Sequence, residues 1–172
     1  RVDMRGTGNS EGTTIPYEYS DIELDDGEEV IEWLSGQEWS TGNVGMFGIS
    51  WGGFNAIQMA MRNPPALKAF VSLMSTEYLY QEDVHYMDGI IHTDSWMMSN
   101  DLYNALPGAP DFTLDEEWIR NRFNVVPSVY TYMRQQRDGP FWDRASARGQ
   151  YEKIRIPGYH IGGWYDGYRN SL

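Results

Sequence analysis

The apolar positions of the chain first follow a helical period. Residues 21–34 carry apolar side chains three and four positions apart, and they follow Ser20-Asp21-Ile22-Glu23, which has capping-box spacing. We predict a helix there that ends near Gly36 and turns its carboxylates to water. The apolar stripe expected to face the core consists of Ile22, Val30, Ile31 and Leu34.

Two short apolar runs then predict buried strands. Residues 44–47 form the first run, and residues 67–73 form the second. Between them, residues 54–62 have a helical pattern that Asn63-Pro64-Pro65 ends. Residues 154–163 return to strand character near the end of the chain. Strands that alternate with helices predict a parallel sheet with right-handed crossovers.

The segment between residues 78 and 146 breaks this alternation. Stretches rich in Tyr, Trp and Met alternate there with charged residues and Pro-Gly turns. Capping-box spacing in Thr113-Leu114-Asp115-Glu116 predicts a helix through Phe123, and residues 129–137 predict another helix before Gly139-Pro140. We interpret the segment as a helical insertion that covers a site as a lid.

Composition narrows the class of protein. A net charge of −12 argues against nucleic acid and anionic membranes as partners, and no apolar run reaches membrane-spanning length. The absence of cysteine excludes disulfides and a thiol nucleophile. His85 and His92 lie seven positions apart without a third ligand, so no metal site is predicted. The aromatic content of 15% predicts thick packing or an aromatic-lined pocket.

Both ends of the chain fall within patterned sequence. The chain opens on Arg1-Val2-Asp3, which has the character of a strand end, without methionine or a signal peptide. Residues 166–172 have the character of a helix start. We therefore expect an internal fragment of a longer protein, and the sequence assigns neither compartment nor oligomeric state.

The stretch Gly48-Ile49-Ser50-Trp51-Gly52 lies between the first strand and the helical pattern. Strand, tight turn and helix form the context of a nucleophile elbow, in which the turn raises one serine hydroxyl above the sheet edge. Gly48 and Gly52 would flank Ser50 because glycine tolerates the close approach of strand and helix, and Gly53 would ease helix packing. The alternative interpretation is a small-residue turn without chemistry.

A nucleophilic serine needs a base, and the base needs an acid that orients it. In elbow architectures these residues follow in the order serine, acid, histidine. Asp166 fits the acid because it follows a predicted strand, although it could be an ordinary turn residue. No histidine follows it, and His160 precedes it as a structural neighbour, so we expect the base beyond Leu172. The backbone N–H of Trp51 would serve the oxyanion hole.

Five blocks of the sequence resemble the cocaine esterase and Xaa-Pro dipeptidyl-peptidase family. They are residues 3–12, 31–34, 39–46, 48–53 and 162–167. The resemblance implies an α/β-hydrolase core with a helical cap, Ser50 as nucleophile, Asp166 as triad acid and the Trp51 N–H in the oxyanion hole. The tyrosine donor, histidine loop and jelly-roll domain of the family would lie outside this chain. No cofactor is implied.

We therefore predict an α/β fold, with a mostly parallel sheet and flanking helices, that is truncated at both ends. Residues 1–76 would form the first part of the core, residues 77–150 the helical cap, and residues 151–172 the return to the core. The predicted function is a serine hydrolase that cleaves small acyl esters or amides, or short peptides, with esterase or acylase activity favoured. The alternatives are an acyltransferase and a catalytically silent binding module.

Overall fold

The computed structural model describes residues 2–82, 86–87, 89–91 and 111–168. Its helices and strands follow one another as α1 Asp21–Ser35, β1 Val44–Ile49, α2 Trp51–Arg62, β2 Leu67–Leu73, α3 Leu79–Glu82, β3 Tyr86–Met87, β4 Ile90–Ile91, α4 Glu116–Phe123, α5 Ser128–Arg134, α6 Pro140–Asp143, a 3-10 turn Tyr151–Lys153 and β5 Gly158–Ile161.

The sheet that carries the core has three parallel strands in the order β1, β2, β5. The predicted parallel sheet is therefore confirmed. Its third strand is shorter than predicted: it starts at Gly158, directly after Pro157, which has no N–H to donate to a neighbouring strand. Helix α2 crosses from β1 to β2 and is buried from Gly53 to Ala60.

Helix α1 starts where predicted, and Ser20 caps it by accepting a hydrogen bond from the Glu23 N–H. The prediction of its buried face is wrong at two positions, since Ile22 is 43% exposed whereas Glu23 is buried. The helix turns Leu24 and Ile31 to the core, with Gly27 against Met59 of α2 between them. This stripe at positions i, i+3 and i+7 rotates Ile22 toward water.

The segment after β2 contains short helices and the antiparallel pair β3–β4. Helix α4 is capped by Asp115, whose carboxylate accepts from the Trp118 N–H at 2.7 Å, so the predicted cap at Thr113 is wrong by two residues. Helix α5 ends at Arg134 rather than at residue 137. His85 and His92 lie outside the described residues. The division at residues 76 and 150 stays a prediction.

An aromatic cluster joins this segment to the core. Its buried members are Tyr19, Phe54, Leu79, Tyr86, Tyr132, Trp142, Ala145 and Tyr168. They come from the loop before α1, from α2, from the segment after β2 and from the loop after β5. Part of the aromatic excess of the sequence is thus packing that ties the segment after β2 to the first turns of α2.

The described residues contain neither a membrane-spanning helix nor a cluster of metal-binding side chains. No helix in this part of the chain combines the length and apolar content that crossing a bilayer requires. The same residues contain no group of three or more His, Cys, Asp or Glu side chains that could hold a metal ion.

Candidate active site

The turn between β1 and α2 is built around Ser50. Its backbone adopts φ 53° and ψ −122°, a conformation that a residue with a side chain rarely adopts. The Ser50 N–H donates to the Leu73 carbonyl at 2.9 Å, and the Ser50 carbonyl accepts from the Phe54 N–H at 3.0 Å. The end of β2 and the start of α2 thus hold the strained residue from both sides.

The glycines around Ser50 have different roles. A Cβ added at Gly48 would meet the Gly52 backbone at 2.2 Å, so only glycine fits there. A Cβ at Gly53 would meet the Leu73 carbonyl oxygen at 2.9 Å, which confirms its predicted role in helix packing. A Cβ at Gly52 would meet nothing within 4 Å. The prediction that Gly52 is required by close approach is therefore wrong, because Gly52 approaches Gly48 with its backbone.

Trp51 is the first residue of α2. The first N–H groups of a helix have no acceptor within the helix, so they can donate to an oxyanion bound at Ser50. The Trp51 carbonyl accepts from the Asn55 amide Nδ2 at 3.1 Å, in addition to its place in the helix. The side chain of Asn55 therefore acts on the residue that the sequence analysis assigned to the oxyanion hole.

Asp166 lies in the loop after β5, as predicted. Its N–H donates to the Gly163 carbonyl at 3.0 Å, which closes a turn. One carboxylate oxygen, Oδ2, is buried and has no hydrogen-bond partner among the residues that the structure describes. Because β1 and β5 are parallel in one sheet, Ser50 and Asp166 lie at the same edge, with β2 between their strands.

Tyr168, which the sequence analysis missed, contacts the candidate nucleophile. Its hydroxyl lies 3.0 Å from Ser50 Oγ, and its ring packs edge-on against Phe54 with centroids 5.4 Å apart. The side chain is buried. The sequence offered one signal for it, a tyrosine two positions after the candidate acid.

Glu23 is a second residue that the sequence analysis did not place at the site. Its carboxylate accepts from the Tyr19 N–H and, at 3.2 Å, from the Asn55 amide. Burial raises the pKa of Glu23 to about 7, against the lowering effect of the hydrogen bonds from Tyr19, Asn55 and the Trp51 side chain. A capping-box glutamate usually bonds the backbone of its own N-cap, so this reach to α2 could not be read from the motif.

A cavity of about 400 Å³ opens beside these residues. Glu23, Trp51, Gly52 and Asn55 form its side toward the elbow, and residues of α1, of β1 and of the segment before α1 form most of the rest. His160 does not line this cavity. It lies on β5 and packs edge-on against Phe70, with 5.3 Å between the ring centroids, which agrees with its prediction as a structural neighbour.

The class of protein follows from the fold together with this turn. The structure superimposes on the crystal structure of a CocE/NonD family hydrolase from Staphylococcus aureus with a TM-score of 0.73 and 26% identity, covering 97% of this chain and 27% of the other. The fold is that of an α/β-hydrolase core. Residues 1–172 match the family described as X-Pro dipeptidyl-peptidase (S15 family), and the chain belongs to that family.

Named relatives agree with this assignment. The chain is 32% identical over 164 residues to a Mycobacterium bovis protein named "Putative serine esterase Mb1866c", with 91% of this chain and 24% of the relative covered. It is 25% identical over 194 residues to the cocaine esterase of a Rhodococcus species, with 96% of this chain and 33% of that protein covered. The chain thus spans a quarter to a third of the length of these relatives.

Proposed function

We propose that this chain carries the nucleophile and the triad acid of a serine hydrolase that cleaves ester or amide acyl bonds. The observation that carries the proposal is the strained backbone of Ser50 at a strand-to-helix turn. Such strain persists where the surrounding structure enforces it, and at this turn it is typical of a nucleophile elbow.

The proposed reaction has two steps. Ser50 Oγ attacks the acyl carbon and passes its proton to a histidine outside these 172 residues, which Asp166 orients. The Trp51 N–H stabilises the negative carbonyl oxygen, and the leaving alcohol or amine takes the proton from the histidine as the acyl-enzyme forms. Water then attacks the acyl-enzyme by the same route and releases the acid and the serine.

One buried oxygen of Asp166, which meets no hydrogen-bond donor in the described ranges, supports the role of this residue in the proposal. A carboxylate that is removed from water and left without a donor is costly, and the N–H of a histidine would satisfy it. No histidine follows Asp166 in the chain. We therefore expect the 172 residues by themselves to be inactive.

The proposed substrate class rests on the names of the relatives and on the description of the family. Two relatives bear the names of esterases, and the family description names a peptidase that acts after proline. We propose a small acyl ester or amide as the substrate, with a short peptide as the second class. Specificity would lie largely in residues 77–150, where the five blocks of family resemblance are absent.

The test is labelling of the full-length protein with a fluorophosphonate, which reacts only with an activated serine. Ser50→Ala should abolish labelling, and Asp166→Asn should slow it by about 10⁴-fold, as loss of a triad acid does elsewhere. Asp21→Asn, which changes an exposed carboxylate at the start of α1, is the matched control. Labelling that survives in Ser50→Ala would overturn the nucleophile, and wild-type labelling in Asp166→Asn would overturn the acid. An unlabelled wild-type protein would leave the binding module as the better hypothesis.

A further inference from the structure

Glu23 connects helix α1 to the candidate site. Its side chain is buried, it lies in the first turn of α1, and both carboxylate oxygens are occupied. Oε2 accepts from the Tyr19 N–H, and Oε1 accepts from Asn55 Nδ2 at 3.2 Å. Tyr19 has a positive φ of 59°, so the loop before α1 is bent to bring this N–H to the carboxylate.

Asn55 carries the connection onward to the elbow. It is itself buried, and its Nδ2 has two hydrogens, of which one reaches Glu23 and the other the Trp51 carbonyl at 3.1 Å. Trp51 follows Ser50 directly. A continuous chain of hydrogen bonds therefore runs from α1 to the residue at which the strained turn becomes helix α2, beside the direct hydrogen bond from the Trp51 side chain to Glu23.

We infer that Glu23 is a positioning residue, which acts through Asn55 to hold Trp51 where its N–H can serve the oxyanion hole. The inference rests on the proposed function. The hydrogen bond holds Trp51 at its carbonyl, while the Trp51 N–H has no acceptor among the described residues and can donate to the oxyanion. Oxyanion donors act within a few tenths of an ångström, so a small displacement of this residue lowers the rate of acylation without removing any reacting group.

The ionisation of Glu23 depends on the charged and hydrogen-bonding groups around its carboxylate, and its ability to hold Asn55 depends on that ionisation. Glu18, in the preceding loop, raises the pKa of Glu23, and the hydrogen bonds from α2 lower it. Arg144 donates to the Tyr19 carbonyl on the opposite side of that residue. The paired Arg5 and Asp26 line the same cavity as Glu23, and the β1 sequence has no titratable side chain. Only the ionised carboxylate accepts both hydrogen bonds fully.

The experiment compares Glu23→Gln with Glu32→Gln in the full-length protein. Glu32 is an exposed carboxylate on the same helix and serves as the matched control. For Glu23→Gln we expect kcat, and the rate of fluorophosphonate labelling, to fall by about 10- to 100-fold with KM within about twofold, a fraction of the loss from deleting an oxyanion donor. The difference from wild type should narrow as the pH falls below about 7, where Glu23 takes up a proton.

A double-mutant cycle keeps the inference testable if one variant folds poorly. Asn55→Ala should slow labelling by a similar factor, and adding Glu23→Gln to it should slow labelling by less than Glu23→Gln does alone, because the two residues share the path through Asn55 and only the direct hydrogen bond from the Trp51 side chain remains. Independent, multiplicative effects would overturn the path. A folded Glu23→Gln protein that labels at the wild-type rate would overturn the inference and leave the proposed function intact. A wild-type protein that does not label at all would instead overturn the proposed function.

Discussion

The hydroxyl groups of Ser50 and Tyr168 lie 3.0 Å apart and share a hydrogen bond. The ring of Tyr168 is fixed by its edge-on contact with Phe54, which lies one helical turn after Ser50. The bond uses either the Ser50 proton or a lone pair of Ser50 Oγ. The serine needs its lone pair to attack a carbonyl and must give up its proton as it does so. The hydrogen bond to Tyr168 therefore has to break before Ser50 reacts.

Tyr168→Phe is therefore expected to speed fluorophosphonate labelling of Ser50. A hydrogen bond contributes about 0.5–1.5 kcal/mol net, so the gain should stay below about tenfold. The phenyl ring keeps the contact with Phe54, and stability should change by no more than about 1 kcal/mol. The measurement is the second-order labelling constant of the full-length protein. Slower labelling would show that the hydroxyl assists the serine instead.

Gly48 and Gly52 provide a matched pair for testing the turn. Gly48→Ala should destabilise the protein by more than about 3 kcal/mol, because its Cβ would overlap the Gly52 backbone at 2.2 Å. Gly52→Ala has open space and lies in the first turn of α2, so it should be neutral or stabilise by up to about 1 kcal/mol. Thermal unfolding midpoints of the two variants decide this. Equal losses would show that the spacing of strand and helix differs from that described.

The contrast between these glycines shows what the sequence could predict. The elbow, the strand Leu67–Leu73 and the start of α1 are local patterns, and the structure has each of them where the sequence placed it. The motif places one glycine two positions before Ser50 and one two positions after it, so it could not distinguish Gly48 from Gly52. In the structure a Cβ at Gly48 would point at the Gly52 backbone, whereas a Cβ at Gly52 would point into open space.

Glu23 and Tyr168 could not be predicted for a different reason. A capping-box pattern assigns Glu23 to its own helix, and only the packing of α1 on α2 brings it to Asn55. Tyr168 reaches Ser50 because the loop after β5 folds back toward β1. No pattern in the sequence indicates either contact, because each one depends on how elements that are distant in the chain pack together.

The stability of the protein should fall as the pH rises from about 4.5 to about 7. Burial raises the pKa of Glu23 to about 7 in the folded chain from its usual value near 4.5, so the folded state keeps a proton that the unfolded state releases. The contribution of Glu23 is thus fully present below pH 4.5 and is lost by about pH 7, up to about 3 kcal/mol.

Urea unfolding at a series of pH values measures this loss. Glu23→Gln should remove most of the slope between these pH values, because an amide does not titrate, whereas Glu32→Gln should keep the wild-type slope. An unchanged slope in Glu23→Gln would assign the dependence to other groups. The folded protein is then less stable when Glu23 is ionised, although the ionised carboxylate is the form that best holds Asn55. Such a loss of stability is expected where the geometry of a functional site is maintained at the expense of stability.

Arg122 is a buried charged residue that forms no ion pair with any other residue the structure describes. It lies in the last turn of α4, only 9% exposed, and its Nε has no hydrogen-bond partner within the part of the chain that the structure describes. Burial lowers its pKa. Together with Trp118, whose indole N–H also has no partner among the described residues, it lines a cavity of about 270 Å³ beside the glycine-rich loop at residues 8–12. A guanidinium held out of water in this way costs stability that a methionine of similar length would not.

Arg122→Met should therefore raise the free energy of unfolding by about 1 kcal/mol, which corresponds to a midpoint higher by about 2–4 °C. Arg120→Met changes an exposed arginine of the same helix, and it should stay within about 0.5 kcal/mol of wild type. Thermal unfolding of both variants, measured at one pH and one salt concentration, separates the effect of burial from that of net charge. A loss of stability confined to Arg122→Met would show instead that a carboxylate compensates this guanidinium in the full-length protein.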